Sequence, residues 1–257
     1  MNDSLIIIPT YDEKENVRPI SEAVFDSLPE ADILFVDDNS PDGTGRILDE
    51  LAAAEPRIHV IHRERKLGLG RAYITGFKWA LERSYALVFE MDADFSHDPR
   101  ELPNFVAAAG DADLVLGSRY VGGIRITNWP LSRLFLSKSA ATYVRVITGM
   151  PITDPTGGYK CFSRRVLADI DLDAIMSNGY SFQVELTHAA WMKGFRIVEI
   201  PIIFEDRRSG YSKLNKAIAR EAVWIVWKLA LKNGFRRRPI PRESRDAAGQ
   251  TREHGES

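Results

Sequence analysis

Residues 5–8, 33–36, 58–61 and 87–91 form four short runs that are apolar on both faces. Between them lie segments 17–28, 46–54 and 71–83, each with hydrophobic residues at helical spacing. A strand that shows water neither face belongs in a sheet covered by helices on both sides, which is the habit of parallel sheets. The alternation predicts a doubly wound α/β fold with right-handed crossovers. A fifth such strand is expected at 114–117. The helix before it starts at Asp98-Pro99-Arg100-Glu101, with Asp98 as N-cap, Pro99 in the first helical position and Glu101 in the reciprocal capping place.

The second half is less regular. Helices are expected at 131–148, 182–193 and 217–231, the last carrying Trp224 and Trp227, and a strand at 196–204 that Pro201 demotes in part to an edge. From Arg236 onward Pro, Gly and charge dominate, which predicts a disordered tail. The expected organisation is one domain over 1–235, with a nucleotide-binding half (1–118), an acceptor half (119–235) and a tail (236–257). The 34 basic and 36 acidic residues give a net charge of -2, so no global cationic field invites nucleic acid. Cys161 is the single cysteine, which excludes an intrachain disulfide and a cysteine-cluster metal site. The first residues lack the pattern of a signal peptide, and no apolar run approaches the roughly 20 residues of a membrane span. The expectation is a cytoplasmic chain, soluble or peripheral on a membrane.

Ligands of open α/β sheets bind beyond the carboxyl ends of the strands. Here the first strand is followed by Pro9, Thr10, Tyr11, Asp12 and Glu13, the second by Asp37, Asp38 and Asp42, and the fourth by Asp92-Ala93-Asp94. Carboxylates crowded at one edge repel each other, and a bound cation or a cationic partner is the natural remedy. Asp92 and Asp94, two apart on an extended segment, share a face. Few hard oxygen donors suit Mg²⁺ or Mn²⁺, which complete their shells with water and phosphate oxygens. The competing reading of Asp-x-Asp is a turn cap. Gly68-Leu69-Gly70-Arg71 lacks the third glycine of a dinucleotide fingerprint, Tyr73 standing in its place, so a plain strand-to-helix turn is preferred over an NAD site.

Residues 5–13 (LIIIPTYDE), 36–44 (VDDNSPDGT) and Asp92-Ala93-Asp94 together resemble the inverting GT-A glycosyltransferases. The similarity extends to 117–120 (GSRY), Asn128-Trp129, 154–160 (DPTGGYK), 179–185 (GYSFQVE), Asp206-Arg207 and Ser212-Lys213, which narrows it to polyprenol-phosphate (dolichol-phosphate) mannose synthases. It covers roughly 5–235 in order. The resemblance implies a GT-A type, Rossmann-like, mostly parallel sheet with C-terminal amphipathic helices. It implies that Pro9, Tyr11, Glu13, Val36 and Asp38 frame the guanosine of GDP. Asp92, Ala93 and Asp94 would hold ribose, diphosphate and metal, and Arg119, Arg207 and Lys213 would meet phosphates. Ser96 stands where some members place a Gln metal ligand, so water or phosphate is expected to supplement its shorter hydroxyl.

The implied reaction moves mannose from GDP-mannose to polyprenyl phosphate. A divalent ion offsets charge growing on the departing diphosphate, with Asp94 as its anchor. A phosphate monoester is largely dianionic at neutral pH and attacks without a general base. Cations are needed instead, which makes Arg119, Arg207 and Lys213 the expected catalytic companions of Asp94, with Arg133 a further candidate. Glu185 is either a base for a hydroxyl acceptor or an orienting partner, and the phosphate acceptor favours the second role. Helices 131–148 and 217–231, with Trp129, Trp224, Trp227 and Arg236-Arg237-Arg238, suit a membrane surface, against the alternative that they pack on the protein's own core. Family members often carry C-terminal transmembrane helices, and this chain ends at Ser257 without them, so surface contact or a separate membrane-anchoring protein is expected. The alternatives are UDP-glucose as donor, a sugar-hydroxyl acceptor with Glu185 as base, and a non-catalytic nucleotide-binding module.

Overall fold

The four apolar runs become neighbours in one sheet because each can bury both faces only between others like it. A computed structural model describes residues 3–127, 129–175, 177, 179–205 and 216–232. The strands are β1 (Ser4–Thr10), β2 (Asp32–Asp37), β3 (Ile58–His62), β4 (Leu87–Glu90), β5 (Leu114–Ser118), β6 (Ile126–Thr127), β7 (Lys160–Ser163), β8 (Ile197–Pro201) and β9 (Phe204–Glu205). The helices are α1 (Val17–Ser27), α2 (Thr44–Ala54), α3 (Leu69–Leu81), α4 (Leu102–Ala109), α5 (Leu131–Thr148), α6 (Arg164–Asp169), α7 (Tyr180–Met192) and α8 (Lys216–Lys232). Among the described residues, seven strands make a sheet in the order β3-β2-β1-β4-β7-β5-β8, and β6 pairs with β9 beside it.

Every pairing in the large sheet is parallel except those of β7, which runs antiparallel to both β4 and β5. Alternation along β1 sorts the core into two layers. Leu5 and Ile7 join Leu34, Val36, Tyr73, Phe77 and Phe182 on one face, while Ile6 and Ile8 join Ile33, Phe35, Val17 and Ile20 on the other. Helix α3 can approach β1 closely because Gly76 has no side chain: a Cβ there would lie 2.7 Å from Ile7 Cγ2. The chain winds outward through β1, β2 and β3, then crosses back to place β4 on the other side of β1. That reversal opens a crevice above the ends of β1 and β4.

The mostly parallel sheet matches the sequence expectation, but β7 and α6 were not expected. Lys160-Cys161-Phe162-Ser163 has neither length nor apolar alternation, and becomes a strand because β4 and β5 leave a slot between them. The segment expected as one strand at 196–204 breaks after Pro201, which ends edge strand β8, and resumes as β9. At residue 98 the N-cap holds, Asp98 Oδ1 accepting the Arg100 amide at 2.9 Å. The reciprocal half does not: Glu101 turns to Asn104 Nδ2 at 2.7 Å, and the first turn is a 3-10 turn over Pro99–Glu101. The expected tail at 236–257 lies outside the described residues.

Candidate active site

The loops after β1 and β2 are sewn together by the side chains of the second. Asp37 accepts hydrogen bonds from Thr10 Oγ1 (3.1 Å), Ser40 Oγ (2.6 Å) and the Ser40 amide (3.1 Å). Ser40 Oγ, Thr44 Oγ1 and Asp42 Oδ2 accept the amides of Asp12, Glu13 and Lys14 at 3.1, 3.0 and 3.2 Å. Asp12 and Asn39 adopt left-handed backbone, φ 61° and 58°, a conformation their short polar side chains tolerate. Asp37 and Asp42 therefore shape the loops. Asp38 is buried and pairs with Arg63 Nη1 at 2.7 Å, while the Leu67 amide reaches its other oxygen at 3.3 Å. Burial pushes the Asp38 carboxyl above its ordinary pKa, with Arg63 opposing the rise. Tyr11 lies under Lys66, whose Nζ sits 3.3 Å from the ring centroid.

Crowding of acidic strand ends is thus relieved at β2 by the protein's own Arg63. The case for an external cation rests on the segment after β4. There Asp92 Oδ1 accepts the Tyr73 hydroxyl at 3.3 Å, and Asp94 Oδ1 accepts the Ser96 amide at 3.1 Å. Burial first, then the charge of Asp92, raises the Tyr73 phenol well above its ordinary value, so the ring donates and stays neutral. No group of three His, Cys, Asp or Glu able to hold a metal occurs among the described residues. A pair of carboxylates with few companions fits an ion that takes the rest of its shell from a diphosphate and water, as Mg²⁺ and Mn²⁺ do. Ser96 is buried, and its amide orients Asp94.

Across the crevice, β5 delivers Arg119. Its guanidinium forks onto Asp154, Nε to Oδ2 and Nη2 to Oδ1 at 2.7 Å each, and its own amide donates to Oδ2 at 3.0 Å. Thr156 Oγ1 accepts from the same Nη2 at 2.8 Å. Burial raises the Asp154 carboxyl, but the Arg119 charge and hydrogen bonds outweigh it and hold the group below the ordinary range. Below this pair, Lys160 on β7 stands opposite Glu90 on β4. Lys160 Nζ donates to Gln183 O (2.9 Å) and Oε1 (2.5 Å), and burial brings it down to about 8 while pushing Glu90 up to about 7. Glu185, nearly buried on α7, accepts the Ser177 amide at 3.0 Å.

Pro9, Tyr11, Glu13, Asp38, Asp92, Ala93, Asp94 and Ser96 all fall on the β1–β2–β4 edge, as their positions in sequence imply. Val36, expected at the nucleoside, has no exposed surface and supports the crevice from the core, because it lies within β2 rather than after it. Arg119, expected at a phosphate, spends its Nε and Nη2 on Asp154. Arg207 and Lys213 lie outside the described residues, as do Asp206, Ser212 and Asn128. Sequence reasoning missed Arg63, His97, Glu90 and the Arg119–Asp154 partnership. Asp154 was visible within its motif, but nothing local marks it as an arginine's partner 35 residues away. Gly70, in the turn preferred over a phosphate loop, serves packing: a Cβ there would meet Phe182 at 2.8 Å and Ser177 O at 2.9 Å.

Helices α5 and α8 touch through Tyr143 Oη, which donates to Val223 O at 3.3 Å. Their outer faces expose Leu131 (82%), Phe135 (76%), Leu136, Val146, Trp224 (65%), Trp227 and Leu231. A groove of about 780 Å³ runs along α5, lined by Ile124, Leu131, Phe135, Lys138, Tyr143 and Val146. No helix among the described residues is long and apolar enough to cross a membrane.

Polyprenol monophosphomannose synthase of Mycolicibacterium smegmatis is 51% identical to this chain over 225 residues, spanning 87% of this chain and 85% of its own. Undecaprenyl-phosphate mannosyltransferase of Micrococcus luteus is 48% identical over 237 residues, spanning 91% and 98%. Among solved structures, glucosyl-3-phosphoglycerate synthase from Mycobacterium tuberculosis, with Mn²⁺, UDP-glucose and phosphoglyceric acid, is 18% identical with TM-score 0.64 (89% of this chain, 79% of that one). A mannosyltransferase from Pyrobaculum calidifontis, in complex with GDP-Man and Mn²⁺, is 16% identical with TM-score 0.55 (97% and 79%). The fold is thus shared with nucleotide-sugar enzymes of differing donor, and the matched sequence extends through the strands that build the crevice. With residues 5–171 matching the profile described as Glycosyl transferase family 2, this chain belongs to that family.

Proposed function

We propose that the chain is an inverting transferase that moves mannose from GDP-mannose to polyprenyl phosphate. The observation that carries the reading is the joining, in one domain, of a carboxylate-lined crevice to an uncovered apolar helix face, the arrangement a polar donor and a lipid acceptor require. The two relatives of about 50% identity, one named a polyprenol monophosphomannose synthase and the other an undecaprenyl-phosphate mannosyltransferase, support the same acceptor class and the same sugar.

Pro9, Tyr11, Glu13 and Asp38 bound the space for the nucleoside, and Asp92, Ala93 and Asp94 the space for ribose and diphosphate. Asp94 and Asp92, with Ser96 beside them, would hold a Mg²⁺ or Mn²⁺ ion, which would supply positive charge against the diphosphate. A phosphate oxygen of the acceptor attacks C1 of the sugar from the face opposite GDP. The C1–O bond breaks with its electron pair going to the β-phosphate of GDP, and the α-linked donor yields a β-linked product. The acceptor oxygen is already ionised, so no side chain removes a proton. Glu185 orients the approach to α7 through the Ser177 amide. Arg133, 4.0 Å from the Trp129 centroid, joins Arg207 and Lys213 as a candidate partner for the acceptor phosphate. Arg119 serves as the brace of that wall.

The test is a panel of GDP-mannose, UDP-glucose and GDP-glucose against one polyprenyl phosphate in vesicles, reading sugar carried into the lipid phase. Transfer from GDP-mannose alone is expected. Transfer from UDP-glucose alone would replace the donor assignment, and transfer to a free sugar hydroxyl that Glu185→Gln abolishes would replace the acceptor.

The groove along α5 takes the first isoprene units, and the α5/α8 face rests on the cytoplasmic surface of a membrane without spanning it. Burying a Phe or Trp side chain is worth about 1.5–3 kcal/mol. Phe135→Ser with Trp224→Ser is therefore expected to weaken co-sedimentation with anionic vesicles at least about tenfold. GDP affinity measured by calorimetry should stay at the wild-type value. Unaltered vesicle binding would assign anchorage to a separate membrane protein.

A further inference from the structure

The geometry points to His97 as a positioning residue that sets the affinity of the Asp92–Asp94 segment for its divalent ion, an inference that rests on those two carboxylates holding the ion. His97 Nδ1 lies 3.0 Å from the backbone nitrogen of Asp92. A backbone N–H only donates, so Nδ1 carries no proton and the ring is the neutral tautomer with hydrogen on Nε2. The ring is 3% exposed, stacked on Tyr159 at 4.8 Å and 13°, with the edge of Phe204 at 6.2 Å. Tyr159 is fixed in turn by its hydroxyl, which donates to Asp98 O at 3.1 Å.

The bond closes a turn on itself. Asp92 is joined to His97 five residues on, and within the turn Asp94 Oδ1 takes the Ser96 amide. Between them Phe95 is held at φ 61°, a conformation that a bulky residue adopts only when its surroundings enforce it. Without an acceptor for the Asp92 amide, the turn would relax and the two carboxylates would lose their common aim. Outer partners of metal-binding groups typically contribute 10- to 100-fold in affinity, which sets the expected scale.

Two substitutions separate the bond from the packing. His97→Asn keeps an acceptor near the Nδ1 position and gives up the ring. His97→Phe keeps a stacked ring and removes the acceptor. Mn²⁺ binding in the presence of GDP is followed by electron spin resonance of free Mn²⁺. His97→Phe is expected to bind Mn²⁺ roughly 10- to 100-fold more weakly, and His97→Asn to stay within about threefold of wild type. In selectively ¹⁵N-histidine-labelled wild-type protein, Nδ1 of His97 is expected to show the shift of an unprotonated, hydrogen-bonded nitrogen. A protonated Nδ1, wild-type affinity in His97→Phe, or equal losses in both variants would overturn the inference. Should His97→Phe fail to fold, the tautomer and the His97→Asn affinity decide. Failure of the ion-site reading looks different: Asp94→Ala would then leave Mn²⁺ affinity intact, and this inference would fall with it.

Discussion

Asp94→Ala is expected to lower lipid-linked mannose synthesis by roughly 10³-fold, about 4 kcal/mol of transition-state stabilisation, while the fold survives. The effect is large because charge grows on the departing GDP in a site bordered by other carboxylates, so the ion's anchor is missed most in the transition state. The fold survives because the substitution removes no apolar core group, and the segment stays anchored by buried Met91 and Ala93 and by backbone bonds to Ile7 O, through the Met91 amide, and to His97. Asp94→Asn is the sharper control. It retains volume and an acceptor for the Ser96 amide but removes the charge, so it should be nearly as inactive as alanine. Chelation of divalent ions should bring wild type down to a similar level and leave the Asp94→Ala residual rate unmoved. Full turnover after either treatment would sink the carboxylate–ion account of this site.

The first half of the chain was legible because its signals are local. Runs such as Leu5-Ile6-Ile7-Ile8 announce buried strands, and a strand's end dictates where the next residues go, so Asp38, Asp92 and Asp94 could be placed on one edge before any coordinates. Val36, which the resemblance places at the nucleoside, lies one step inside the strand, with its side chain in the core. What stayed hidden depends on contacts between distant segments. Lys160 reads as the end of a loop motif, and only insertion between β4 and β5 makes it a strand residue facing Glu90. Arg63 reads as one of several basic residues in 63–66, and only the crossing from β3 brings it to Asp38. The acidic edge was therefore overcounted, since the charge of Asp38 is answered within the protein by Arg63. For α5 and α8, the sequence left membrane and core packing both open. The structure shows α5 packing inward through Ala141, Val144 and Thr148, while Phe135 and Leu131 stay uncovered.

The second large effect belongs to Asp154, and it concerns the fold before it concerns the chemistry. Asp154 is 0% exposed and carries three hydrogen bonds from Arg119, while its own amide and that of Thr153 donate to Glu199 on β8 at 2.8 and 2.7 Å. It thereby fastens the end of β5 and the loop before β7 to the edge strand. Asp154→Ala leaves a buried guanidinium without its counter-charge, which costs about 3–5 kcal/mol. For a domain of this size that is a fall in melting temperature of roughly 6–20 °C. Replacing both partners by apolar groups, Arg119→Met with Asp154→Leu, should recover most of the lost stability, because the penalty of an unpaired charge disappears with the pair. Activity should not return with it, since the wall holding Trp129 and Phe204 within 5.8 Å of the guanidinium would have lost its brace. The pH dependence has a definite sign. A carboxyl held below its ordinary value contributes stability that is complete above the unfolded-state pKa of about 4 and is lost as pH falls through the folded-state value. Wild type should therefore shed stability in acid below about pH 4 more steeply than the apolar double variant. A double variant as unstable as Asp154→Ala, or a single variant within about 1 kcal/mol of wild type, would show that the pair does not hold this wall.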